Sequence, residues 1–285
     1  MRFGPAGNSE RFYEEGYKRT VDTFAWQQQL GLNAFEYPFG RGISLSEGMA
    51  VQIGQAAREQ NVFLSAHAPY YINLGSPSEE TQRKAQDYIL RTARLLQLMG
   101  GQRIVLHVGA PGKEPRDEAF ARCKAGLLQA RQMLLVEGLE DIRLCPETMG
   151  RPSVIGTLEE VLQLVLLDDS FIPCIDFAHL HAAEDGLLRD GEAFMAVLDR
   201  IEEVLGLERA CGMHGHFSHI EYGLKGEIRH RVFDDPGFGP DFAHLAPLLA
   251  ERGYHMTLIC ESRGTMADDA ARMRSLYMQA HQALQ

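Results

Sequence analysis

Eight apolar runs of strand length recur along the 285 residues, each followed by a stretch of helical amphipathic spacing, and this alternation is what most restricts the fold. The runs lie near Arg2-Phe3-Gly4, at Ala34-Phe35-Glu36-Tyr37, and from Val62 to His67, Arg103 to His107, Ile142 to Glu147, Ile172 to Asp176, Ala210 to His214 and Met256 to Glu261. Strands that each need a helix before the next strand build a parallel sheet. Eight such units without an evident linker predict an α/β protein, a (β/α)8 TIM barrel forming a single domain over residues 1–285. Two helix starts are legible as capping patterns. Ser76-Pro77-Ser78-Glu79 opens a run to Met99 closed by Gly100-Gly101, and Thr157-Leu158-Glu159-Glu160 precedes Val161 to Leu167. Further helices are expected near 45–60, 117–137, 190–205, 240–252 and 265–283.

Hydrophobic residues at 45% and charged residues at 24% suit a globular chain and argue against disorder. No basic-then-apolar leader is visible, and no run approaches the roughly 18 apolar residues of a membrane helix, so a soluble, cytoplasmic protein is expected. Five scattered cysteines without a CxxC pair fit a reducing compartment. Cys145 and Cys174 each precede an acidic residue by two positions and read as small core fillers. The net charge of -11 disfavours a bulk electrostatic nucleic-acid binder, so any phosphate contact requires a local basic rim or bound cations.

Five runs end in chemistry: Ser65-Ala66-His67, Val105-Leu106-His107, Cys145-Pro146-Glu147, Ile175-Asp176 with His179 close behind, and Cys260-Glu261. Alternation on a barrel strand points Val105 and His107 inward while Ile104 and Leu106 face the helices. The C-terminal strand ends of such barrels form the active face. There the candidate ligands are His67, His107, Glu147, Asp176, His179, His214, His230 and Glu261, more than the roughly four to six donors one ion takes. Imidazole and carboxylate without thiolate suit zinc, manganese or iron, and Glu147 or Glu261 can bridge two ions. His216 shares a strand face with His214, deeper or higher in the barrel; Glu36 reads as a structural ion-pair partner; Tyr70 and Tyr71 either pack a loop or touch a ligand. The segment from His214 to Asp241 is long for a βα turn and reads as a lid or binding loop. Arg41, Lys113, Arg116, Arg151, Lys225, Arg229, Arg231 and Arg263 follow strands and can make the rim locally basic.

These motifs resemble the endonuclease IV group, the family 2 apurinic/apyrimidinic endonucleases, within the xylose-isomerase-like barrels. The likeness runs from the second strand to Glu261 and is most specific at His67-Ala68-Pro69-Tyr70-Tyr71-Ile72-Asn73-Leu74, Pro146-Glu147-Thr148, Cys174-Ile175-Asp176-Phe177-Ala178-His179, Gly212-Met213-His214 and Arg229-His230. It implies three zinc ions that hydrolyse the phosphodiester 5′ to an abasic site in DNA. By that likeness, His67, His107 and Glu147 hold one ion, and Glu147 bridges to a second held by Asp176, His214 and Glu261. His179 and His230 hold the third, with Glu147 and Glu261 catalytic. Tyr70 and Tyr71, with Arg41 and Arg229, would contact the substrate. One ligand departs from the pattern: the family has Asp-x-His where this chain has Ile228-Arg229-His230. Glu227 moves in, another group or water replaces the carboxylate, or the third site is weak or empty.

Elementary chemistry agrees in outline, since two ions about 3.5–4 Å apart can stabilise both attacking and leaving oxygens of an in-line displacement. The rival reading is a sugar isomerase or epimerase. It uses one divalent ion at Glu147, Asp176, His214 and Glu261, and its two glutamates move protons beside a sugar carbonyl. It leaves His67, His107, His179 and His230 without a role. A third reading is a metal-dependent binding protein that recognises such a ligand without turnover.

Overall fold

The structure is a computed structural model that describes residues 1–40 and 42–285. In chain order it runs β1 (Arg2–Pro5), α1 (Glu10–Glu14), α2 (Thr20–Gln28), β2 (Ala34–Pro38), α3 (Glu47–Glu59), β3 (Phe63–His67), α4 (Glu79–Met99), β4 (Arg103–Leu106), α5 (Arg116–Val136), β5 (Arg143–Pro146) and α6 (Leu158–Val165). It continues with β6 (Cys174–Asp176), α7 (Phe177–Ala183), α8 (Gly191–Leu205), α9 (Leu207–Cys211), β7 (His214–Phe217), β8 (His219–Gly223), β9 (Gly226–Arg231), α10 (Phe242–Glu251), β10 (Thr257–Cys260) and α11 (Met266–Ala283).

Parallel ladders form two arcs, β1-β10-β7-β6 and β2-β3-β4-β5. Single bridges from Ala6 to Glu36 and from Glu147 to Cys174 join them into the eight-stranded TIM barrel. The expected alternation holds. Ile104, Leu106, Ile175, Leu258 and Cys260 belong to the main core between sheet and helices, whereas Val105, Cys145 and Cys174 form a small separate cluster inside the ring. Among the described residues, no helix is long and apolar enough to cross a membrane.

Helix starts follow local capping chemistry, with one shift. Thr157 makes the full capping box with Glu160, and Gly100 closes α4 at φ 75°, as the sequence suggests. The cap of α4, however, is Ser78, which accepts from Thr81 N; Ser76 lies before it and accepts from Ser78 N. Pro77 therefore precedes the helix instead of opening it.

A larger shift concerns the seventh strand. Residues 207–211 are helical, bounded by Gly206 and Gly212, so β7 begins at His214 instead of ending there. The long segment after it, expected as a lid or binding loop, holds a β-hairpin, β8 paired antiparallel with β9.

Candidate metal centre

At the strand ends, four acids and imidazoles from four strands converge. Glu147, Asp176, His216 and Glu261 each offer a ligand atom within 4.8 Å of the others. The first three are fully buried. His216 Nδ1 lies 3.0 Å from Glu147 Oε1 and 3.5 Å from Glu261 Oε1. The expectation that His214 fills this place is corrected by the strand start. Two residues lower on the same face, His214 lies opposite Thr257 and packs instead on Glu36, Nε2 to Oε2 at 3.0 Å. Sequence reasoning leaves His216 open because the strand expected over Ala210 to His214 overlaps the end of the helical run Leu207-Glu208-Arg209-Ala210-Cys211. Its good helix formers between two glycines were the available signal.

Two further clusters flank this set. His67, His107 and Glu147 form one: Glu147 Oε2 lies 3.2 Å from His67 Nε2 and 3.1 Å from His107 Nε2. Glu147 thus spans two clusters, one carboxylate oxygen on each. The third cluster is Asp176, His179 and His230. A turn of helix brings His179 back to the mouth, since Asp176 Oδ1 caps α7 by accepting from His179 N at 2.7 Å.

The ring nitrogens show that these groups suit cations. His67 Nδ1 donates to the Ala68 carbonyl at 2.8 Å and His179 Nδ1 to the Thr148 carbonyl at 2.9 Å, while His230 Nδ1 meets Ser218 Oγ at 2.7 Å. Each ring is fixed through Nδ1, which turns Nε2 toward the cluster, where His67 Nε2 meets Glu147 Oε2 at 3.2 Å, the arrangement usual for imidazole ligands. Asp176 Oδ2 is buried without a hydrogen-bond partner. Burying so many carboxylates and imidazoles is costly unless they pair or hold an ion.

Glu227 completes the third cluster by position. In β9 a bulge falls opposite Glu221 and Tyr222: Tyr222 pairs with Glu227 and Glu221 with Arg229, so Ile228 is the extra residue. All of Glu227, Ile228 and His230 line the cavity, but Ile228 is 54% exposed, whereas Glu227 Oε2 lies 3.7 Å from His179 Nε2. Gly150 makes room, because a Cβ there would come within 2.7 Å of Glu227 Cβ and 2.9 Å of the His179 ring. If Glu227 serves as a ligand, Glu227→Ala is expected to remove one bound ion per chain and leave the others, as read by elemental analysis of the refolded, reloaded protein.

The electrostatics follow from this crowding. Burial opposes charge on His67, but the hydrogen-bonded Glu147 carboxylate, with Glu36 and Glu261 near, lifts its pKa to about 8. His179 is likewise opposed by burial and raised to about 9 by Asp176, Glu147 and Glu227. His214 is lowered to about 4 by burial, against the pull of Glu36. Burial would raise Glu261, yet His216 and His230 bring it to about 2.

The centre opens into a cavity of 970 Å³. Tyr70 and Tyr71, 54% and 57% exposed, stand at its edge, and the Tyr70 ring lies 5.2 Å from His67 and 5.5 Å from His107. Arg151, Arg229 and Arg263 also line it. The Arg229 guanidinium is held by Glu221 at 2.7 Å, so only part of its charge faces the cavity. Arg116 and Arg231 turn to structural partners, Glu160 and Glu221. Arg41 lies outside the described residues.

Residues 24–277 match the family model described as xylose isomerase-like TIM barrel. The chain belongs to that family. Within this barrel family it is 32% identical to an uncharacterized protein of Methanocaldococcus jannaschii over 82% of this chain and 84% of that protein. It is 30% identical to a probable endonuclease 4 of Exiguobacterium sibiricum, over 64% of each. The endonuclease IV structure from Thermus thermophilus superposes with a TM-score of 0.62 at 22% identity, over 93% of this chain and 94% of that one. A D-tagatose 3-epimerase-like protein gives 0.69 at 16% identity, over 88% and 90%. Both structural likenesses establish the barrel; neither sets the reaction.

Proposed function

We propose that this barrel is a metal-dependent phosphodiester hydrolase that nicks DNA 5′ to abasic sites, with zinc as its resident ion. The observation that carries the reading is the surplus of donors. Beyond Glu147, Asp176, His216 and Glu261, the imidazoles of His67, His107, His179 and His230 stand in two adjoining clusters, three of them with Nδ1 engaged elsewhere so that Nε2 turns inward. A sugar epimerase needs one ion and would leave those four without work.

The first cluster would hold one ion, the four-residue set a second joined to it through Glu147, and His179, His230 and Glu227 a third. Bound divalent ions supply an activated water and neutralise charge on a phosphodiester. The chain's own part is positional. Tyr70 and Tyr71 offer aromatic faces to a base or an abasic gap. Arg151 and Arg263 place positive charge where phosphates would run, which offsets the acidic total locally. Support also comes from relatives named as probable endonuclease 4.

The epimerase reading keeps one specific observation in its favour: the central set is two glutamates, an aspartate and a histidine, a complete ligand shell for a single ion with two carboxylates near a substrate carbon. One experiment separates them. Purified, zinc-loaded protein is expected to nick a duplex with a single abasic site on its 5′ side, to lose this with a chelator, and to carry two or three ions per chain at the strand-end mouth. One ion at the mouth together with ketose epimerisation and no nicking would reverse the assignment.

A further inference from the structure

Beneath the mouth, one layer deeper in the barrel, a second group of polar side chains is sealed from solvent. Cys174, His214 and Thr257 are cross-strand neighbours on β6, β7 and β10. Glu36 reaches them from β2, with Oε2 fixed by Ser65 Oγ at 2.8 Å and by His214. All are essentially inaccessible. Arg103, donating to the Gly212 and Met213 carbonyls, closes the barrel below.

This layer is not satisfied by its own hydrogen bonds. His214 Nδ1, His216 Nε2, Glu36 Oε1 and Thr257 Oγ1 are buried with no hydrogen-bond partner among the described residues. His216 Nε2 and Glu36 Oε1 lie 2.9 Å apart without hydrogen-bond geometry. Orphaned buried polar atoms are rare in native proteins, and four in one sealed layer, two of them facing each other, point to a bound ligand there. The chemistry of the group says which kind. One ligand atom each of Cys174, His214 and His216 lies within 4.8 Å of the others, and all three are soft or borderline donors of the sort that select zinc-class ions.

We propose that the barrel interior holds a further zinc-class cation, bound by the Cys174 thiolate with His214 and the inner nitrogen of His216, with the Glu36 carboxylate beside them. Held through both ring nitrogens, His216 gives up its remaining ring proton and becomes an imidazolate, so the inner dication offsets the Cys174 thiolate and the nearby Glu36 carboxylate while the imidazolate charge is shared with the ion at the mouth. His216 then faces the mouth with Nδ1 and the interior with Nε2, so the inner ion fixes the ring that the outer cluster uses. The site stands whether the mouth cleaves DNA or epimerises a sugar.

Cobalt(II) added to the metal-free protein tests it, because only a thiolate ligand gives cobalt an intense near-ultraviolet charge-transfer absorption. The wild type is expected to show that absorption, and Cys174→Ser to lose it together with one equivalent of bound cobalt. His214→Asn, which keeps the thiol, should lose the same equivalent. Cys145→Ser, also inside the ring but away from the imidazoles, should retain both. A wild type that fills its mouth with cobalt, shown by visible bands, yet lacks the charge-transfer absorption overturns the proposal even if every variant misfolds. So does a Cys174→Ser protein with an unchanged spectrum and cobalt content.

Discussion

Glu147→Gln is expected to lower abasic-site nicking by about 10³-fold or more, on the scale of removing a preorganised electrostatic group from an active site. Glu147 touches three imidazoles, with Oε2 near His67 and His107 and Oε1 on His216, so its loss uncouples two clusters at once. Single-turnover nicking at saturating zinc measures the effect on chemistry. The same change should destabilise the metal-free fold by about 3 kcal/mol, because it leaves buried imidazoles without their counter-charge. Urea unfolding of the metal-free protein reads this directly. Wild-type nicking by Glu147→Gln would remove Glu147 from the centre.

Metal-free and metal-loaded protein are expected to respond to pH in opposite directions. In the metal-free chain His67 and His179 carry pKa values of about 8 and about 9, above the ordinary value near 6.5. A raised folded value stabilises the fold fully below pH 6.5, and the gain is lost as pH climbs through 8 and 9. At the level of these two buried groups this amounts to roughly 2 and 3 kcal/mol. Glu261, brought to about 2, acts oppositely: its contribution is present above the ordinary carboxylate range and fades as pH falls toward 2. His214, held near 4 by burial, also loses its contribution as pH falls below 6.5. Metal-free stability should therefore peak near about pH 6.5 and decline both below it and toward pH 9. Zinc needs neutral imidazoles, so loading at pH 7 must displace protons, about two from His67 and His179 alone, and affinity should rise over the range where metal-free stability falls. Titration calorimetry in buffers of different ionisation enthalpy counts those protons. No proton release at pH 7 would show that these imidazoles are not ligands.

The sequence by itself determined the barrel and most of the mouth. Strand-length runs alternating with capped helices leave few other architectures, and a polar residue ending an inward-facing strand has only the mouth to occupy, which places His67, His107, Glu147, Asp176 and Glu261. His179 was legible because a turn of helix after Asp176 returns it to the same end.

What only the tertiary structure decided were matters of register. Whether His214 or His216 sits at the mouth depends on where β7 starts, and a helix between Gly206 and Gly212 moves that start by several residues without altering the hydrophobic pattern. Glu227 joins His230 on one face only because a bulge absorbs Ile228, and a bulge has no reliable sequence signal when glycine is not its extra residue. Glu36 was legible as an ion-pair partner but its partners were not, since His214 and His216 lie about 180 positions away. Local rules fix which way a side chain alternates along its strand; the depth it reaches in a closed ring is set by neighbours distant in sequence.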